Sequence, residues 1–97
     1  MYTSIRRYKI GAGSIDELMR IIKEGAVPIL RDVPGFITYY VLDAGEGVVA
    51  TISVFENQAG ADESNRRAAD WVRENVAAFQ PGQPEITAGE VRVHSAR

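Results

Sequence analysis

Residues 2 to 10 set Tyr2, Ile5, Tyr8 and Ile10 among polar neighbours, and the following Gly11-Ala12-Gly13 reads as a turn, which predicts a first strand. Ser14-Ile15-Asp16-Glu17 has the spacing of a capping box, with a serine hydroxyl placed to accept an amide three residues on, so a helix is expected to begin here. At 100° per residue, Ile15, Leu18, Met19, Ile22, Gly25, Ala26 and Ile29 fall on one side of that helix and Asp16, Arg20, Lys23 and Glu24 fall elsewhere. Pro28 removes an amide near the end, so the turn from Val27 to Leu30 is expected to be kinked.

Asp32-Val33-Pro34-Gly35 is turn chemistry, and the aromatic and β-branched run Phe36 to Asp43 predicts a second strand. A loop of about five residues joins it to a third strand, Val48 to Glu56, as a hairpin. With Leu42 opposite Val48, one face carries Phe36, Thr38, Tyr40, Leu42, Val48, Ala50, Ile52 and Val54. The other carries Ile37, Tyr39, Val41, Val49, Thr51, Ser53 and Phe55, and is also too apolar to be left in water. A sheet covered on both faces follows. A second helix is expected from Ala61 to Phe79, with Ala61, Asn65, Ala68, Ala69, Val72, Val76 and Phe79 as its apolar stripe, before Gln80-Pro81-Gly82 stops it. A last strand is expected from Ile86 to His94, with Gly89 as a bulge site. The order β-α-β-β-α-β predicts a ferredoxin-like α+β fold, a four-stranded antiparallel sheet with two helices on one face, spanning residues 1–97 as a single domain.

Composition narrows the chemistry. Eleven Lys and Arg against thirteen Asp and Glu, a formal net charge of −2, leave no basic surplus to draw nucleic acid or an anionic membrane. The chain has no cysteine and one histidine, His94, so no metal set is expected. The charged first twenty residues have no apolar signal core, and a cytoplasmic protein is the expectation. Ninety-seven residues without disulfides or metal make a modest core, which oligomerisation would supplement.

Four segments carry a family resemblance: the first strand ending in a glycine turn, Val33-Pro34-Gly35-Phe36 at the start of the second strand, Ser53-Val54-Phe55-Glu56 closing the third, and Ala68-Ala69-Asp70-Trp71 on the second helix. In order and spacing, over residues 2 to 94, the chain resembles the antibiotic biosynthesis monooxygenase superfamily of dimeric α+β barrels. The resemblance implies a homodimer packed through the sheet faces, with a small-molecule cavity between sheet and helices in each subunit. It also implies a cofactor-independent oxygenase acting on an aromatic or quinone-like molecule, or a non-catalytic ligand-binding or stress-related dimer of the same fold.

The site residues expected are Arg6, Tyr40, Trp71 and Asn75. Trp71 lies about 60° outside the predicted stripe, so it either packs on a flat aromatic ligand or closes the seam between helix and sheet. Asn75, one turn later, would offer its amide to a carbonyl or phenol. In the phenol-oxidising members an Asn precedes the Trp by a turn and a Tyr follows it. Here Arg67 holds the first position and no Tyr follows on the helix. The haem-degrading members use a helix histidine, whose place falls near Pro81, and a first-strand Asn, whose place holds Arg6; no haem or other cofactor is expected. Arg6 or Arg7 must enter a covered region. Arg6 is expected on the helix side with Tyr2 and Tyr8, ion-paired with Glu56, Glu85 or Glu90 or turned to an anionic ligand. Tyr40 is expected on the helix side and Tyr39 at the dimer interface.

Overall fold

The computed structural model describes all 97 residues. The elements are β1 (Tyr2–Lys9), α1 (Ile15–Ile21), a π-helical turn (Ile22–Ala26), α2 (Val27–Arg31), β2 (Phe36–Gly45), β3 (Val48–Phe55), α3 (Gln58–Asn75), a 3-10 turn (Ala77–Phe79) and β4 (Glu85–Glu90). From α1 to α2 the chain is one unbroken helical arm. The strands lie in the order β2-β3-β1-β4, each neighbouring pair antiparallel. This is the ferredoxin-like α+β fold, with both helices against one face of the sheet.

The arm starts where the serine cap places it, with Ser14 Oγ accepting the Glu17 amide at 3.3 Å. Its irregular turn comes earlier than Val27 to Leu30. Pro28 has no N–H for the carbonyl four residues back, and the ladder widens ahead of it: the Val27 amide reaches the Ile22 carbonyl, five residues back. After that turn Val27–Arg31 is regular helix.

The hairpin is tighter than expected. β2 continues to Gly45, and the connection is Glu46-Gly47 with φ of 54° and 79°, the paired positive values of a two-residue turn that follows strand twist. Leu42 therefore pairs with Ala50 rather than Val48, a slip of two positions that keeps Tyr40 and Leu42 on one face with Ala50 and Ile52. A bulge between Phe36 and Thr38 turns Phe36 inward, edge-on to Phe55 at 5.9 Å between ring centres. β4 ends at Glu90 rather than His94 because Glu90 already pairs with Tyr2, the first residue of β1. Past it, Val91 still donates its amide to the Met1 carbonyl at 2.8 Å. Gly89 stays in register opposite Thr3 with no bulge.

α3 begins at Gln58, capped by Asn57, whose side-chain oxygen accepts the Gly60 amide at 3.1 Å. Its buried face is Gly60, Ala61, Ser64, Ala68 and Trp71, while Ala69 from the expected stripe is exposed. The smallest side chains decide the docking, since they let the helix approach the sheet until the indole fills the space beyond them. Trp71, Leu18, Ile22, Ala26, Val49, Val76 and Phe79 form the main core, and Val33, Phe55 and Ala61 a second one.

The sheet face under the helices carries Ser4, Arg6 and Tyr8 of β1, Tyr39 and Val41 of β2, and Val49, Thr51, Ser53 and Phe55 of β3. The outer face carries Ile5, Tyr40, Leu42, Ile52 and Val54. The side turned away from the helices thus carries an apolar patch, bordered by Thr3, Arg7, Lys9 and Thr38.

Candidate functional site

Alternation along β1 carries Ser4, Arg6 and Tyr8 beneath α3. Ser4 Oγ donates to Asn65 Oδ1 at 2.8 Å, and Arg6 Nη1 reaches the Asn65 carbonyl at 3.5 Å. Arg6 is 6% exposed and makes no ion pair, contrary to the pairing expected with Glu56, Glu85 or Glu90. The reason is strand parity: Glu85 sits opposite Arg7, whose guanidinium lies 3.7 Å from it on the outer side. With one long hydrogen bond to Asn65 and the Tyr39 hydroxyl as its other polar neighbour, the five-donor guanidinium retains donor capacity for an anion or a phenolic oxygen.

Two tyrosines flank it. The Arg6 guanidinium stands 6.0 Å from the centre of the Tyr8 ring. Burial pushes the Tyr8 and Tyr39 hydroxyls above their ordinary range, and the nearby positive charge of Arg6 only partly offsets it. Thr51 also faces Tyr39 and favours its ionised form. The buried charge of the site is therefore Arg6, set among neutral hydroxyls, while Arg73 at the groove's rim is exposed and paired with Asp70 at 2.6 Å.

The space around these groups has two compartments. A groove of about 490 Å³ runs between α3 and the Gln80 to Pro84 loop, with Arg6, Tyr8, Asn65, Arg73 and Ile86 on its walls. Beside it lies a small chamber of about 30 Å³ between Trp71, Leu18, Ile22 and Ala68 on the helix side and Tyr39, Val49 and Thr51 on the sheet. Arg6, Tyr8, Val72 and Pro81 belong to both. The groove has the size of a small-molecule site. It contains no carboxylate and no imidazole.

Of the residues expected from sequence, Arg6 and Trp71 converge here. Trp71 is 8% exposed at the centre of the α3 contact, not on its flank. Its ring lies so close to the arm that a Cβ on Gly25 would stand 2.7 Å from Cζ2 and 2.9 Å from Nε1. Asn75 does not join them: it is exposed, and its amide donates to the Trp71 carbonyl at 2.9 Å, locking onto its own helix. Tyr40 is on the outer face and 56% exposed, so the expected helix-side place is corrected. Tyr39, expected at an interface, takes that inner place. The assignment of faces turns on which one the helices cover, and the polar Ser4, Thr51 and Ser53 give the inner one the look of a wet surface. Sequence reasoning does not single out Tyr8, Tyr39 and Thr51, which also line this space. The signal that points to the tyrosines is parity, since Tyr8 stands two places from Arg6 and Tyr39 alternates with Tyr40.

Arg67 turns away from the groove, to Glu63 at 2.8 Å and Asp32 at 3.5 Å. The paired arginines Arg66 and Arg67 hold the Glu63 carboxyl below its usual range through hydrogen bonds, a surface ion cluster. No three His, Cys, Asp or Glu side chains gather in a metal-binding group. His94 lies in the exposed segment after β4. No helix is long and apolar enough to cross a membrane.

Fold and groove together describe a ferredoxin-like domain with a groove of about 490 Å³ beside α3. The chain belongs to the antibiotic biosynthesis monooxygenase family, whose pattern it matches over residues 1–80. Comparison with curated proteins found no match. Among solved structures, a protein of unknown function from Nitrosomonas europaea is similar with a TM-score of 0.81 at 18% identity, over 99% of this chain and 93% of that one. The ActVA-Orf6 monooxygenase of Streptomyces coelicolor, solved with nanaomycin D, gives 0.74 at 16% identity over 99% and 91%. SnoaB, a cofactor-independent oxygenase from Streptomyces nogalater, gives 0.72 at 14% identity over 96% and 94%. At these identities the likeness is one of fold.

Proposed function

We propose that this protein binds a small phenolic or quinone-like aromatic molecule in the groove and oxidises it with dioxygen, without a bound cofactor. The observation that carries the reading is the buried, carboxylate-free Arg6 at the groove wall. A guanidinium there stabilises a phenolate, the electron-rich form that reduces dioxygen directly. With no carboxylate or imidazole in the groove, the phenol proton passes to solvent, which selects substrates acidic enough to ionise near neutral pH. The balance closes on the substrate alone: an activated ring CH2 becomes C=O, one atom of dioxygen enters the product, the other leaves as water, and the substrate supplies all four electrons.

A screen of phenols and quinols for oxygen uptake tests it. The expected result is saturable uptake with a subset of acidic phenols, lost on Arg6→Met. A second reading, a non-catalytic ligand-binding dimer, draws on Arg67 turning outward where the phenol-oxidising members carry an Asn. Saturable binding without oxygen uptake would select it.

The outer sheet face supports a homodimer, because Ile5, Tyr40 and Leu42 are exposed there beside Ile52 and Val54. Ile52→Lys places a charge at the middle of that face. It is expected to yield a folded monomer in size-exclusion chromatography with light scattering, where the parent chain runs as a dimer. A parent chain that is monomeric at micromolar concentration overturns the dimer.

A further inference from the structure

Asn65 is held from the sheet at two points. Its backbone carbonyl accepts from Arg6 Nη1 at 3.5 Å, and its side-chain Oδ1 accepts the Ser4 hydroxyl at 2.8 Å. Ser4 is 1% exposed, and its own carbonyl accepts the Ser53 hydroxyl at 3.4 Å, so its place beneath α3 is fixed. With Oδ1 committed to the sheet, the planar amide turns Nδ2 the other way. Nδ2 has no acceptor within the protein, and no side-chain nitrogen is sealed away without one, so it opens on the groove whose wall Asn65 forms. Arg6 and Asn65 thus set two donors side by side on one wall, and the groove brings no carboxylate to either. A lone phenolate oxygen satisfies one donor and leaves the other desolvated without a partner. Asn65 is not the helix position one turn before Trp71, which is Arg67 and faces Asp32 and Glu63.

We propose that Asn65 determines the specificity of the groove, with Ser4 as its positioning residue. The wall selects aromatic ligands whose ionised hydroxyl has an acceptor oxygen on the neighbouring ring carbon, the phenolate going to Arg6 and the second oxygen to Asn65 Nδ2. This selection rests on the reading of the groove as a phenolate site, but on no step of oxidation. The probes are ortho- and para-nitrophenol, isomers with the same groups that ionise in the same pH range. Their binding to the whole protein is compared by titration calorimetry above that range. Only the ortho isomer sets a nitro oxygen beside the phenolate, and it is expected to bind about three- to tenfold more tightly, the contribution of one hydrogen bond. Asn65→Leu is expected to abolish the preference, chiefly by weakening the ortho isomer. Ser4→Ala frees the amide to rotate and is expected to remove part of it, whereas Arg6→Met weakens both isomers. Equal affinity for the two isomers in the parent chain, or no binding of either, overturns the proposal without any variant being needed. A preference that survives Asn65→Leu also overturns it, and one that Ser4→Ala leaves unchanged overturns the positioning role. An ortho preference without oxygen uptake by any phenol leaves the donor pair standing and sinks the oxygenase reading. Uptake with equal affinity for the isomers does the reverse.

Discussion

Replacing Arg6 by methionine is expected to weaken binding of an ionised phenol by about ten- to a hundredfold, since a charge-assisted hydrogen bond contributes roughly 1.5–3 kcal/mol. Folding stability is expected to hold or rise. Arg6 is buried with no carboxylate beside it, so its desolvation is offset only by the Asn65 carbonyl and its tyrosine neighbours, and a methionine of similar length packs among Tyr8, Val72 and Pro81 without that cost. The pH dependence identifies the cause. Arg6 favours the anionic ligand, so affinity in the parent protein rises as pH climbs through the ligand's own pKa, and the variant loses that rise. Arg6→Lys keeps the charge but not the planar fork and is expected to recover part of the affinity. Titration calorimetry and thermal melts check both halves. A variant that melts lower with its affinity intact would make Arg6 a structural residue, and an equal loss for a neutral isostere would remove the charge from the explanation.

Strand and helix order can be read from the sequence because periodicity is a local signal: Ser14, the Gly11 to Gly13 turn and the Phe36 to Phe55 hairpin each announce themselves within a few residues. Face assignment cannot. Alternation separates Tyr39 from Tyr40 but does not say which meets the helices, and here the rule that polar residues face water points the wrong way. Ser4, Arg6, Thr51 and Ser53 lie inside, and Ile5, Leu42 and Ile52 lie on the outer face. That arrangement is itself a signal, since a face that leaves Ile5, Tyr40 and Leu42 exposed suits a partner. The predicted α3 stripe misses the docking face for a related reason. Weighting by hydrophobicity draws it toward Ala69 and Val72, whereas close approach is set by Gly60, Ala61, Ser64 and Ala68, which leaves Trp71 central. Asn75 has the chemistry of a ligand amide, but a carbonyl of its own helix, 2.9 Å away, satisfies it.

Gly25→Ala is expected to destabilise the protein by about 1–3 kcal/mol, the usual effect of overpacking a core. In an open helix the same change would stabilise by roughly 0.8–1 kcal/mol through helix propensity. The clash outweighs that gain because the new methyl would meet Trp71 Cζ2, Nε1 and Cε2 at 2.7, 2.9 and 3.0 Å, three atoms of one rigid ring. The ring cannot step aside freely, being packed in the main core with Leu18, Ile22 and Val76. The room it has is the small chamber, so the variant is expected to narrow the chamber as well as lower the melting temperature. The sole tryptophan reports this directly as a shift in emission. Trp71→Phe gives the decisive background. It vacates the six-membered ring that the methyl strikes, so Gly25→Ala should cost little there, and the two changes should couple by more than about 1 kcal/mol in a double-mutant cycle. Strictly additive effects would show that the glycine serves the π-helical turn rather than the indole. In that case the close approach of arm and α3 would not be what shapes the chamber.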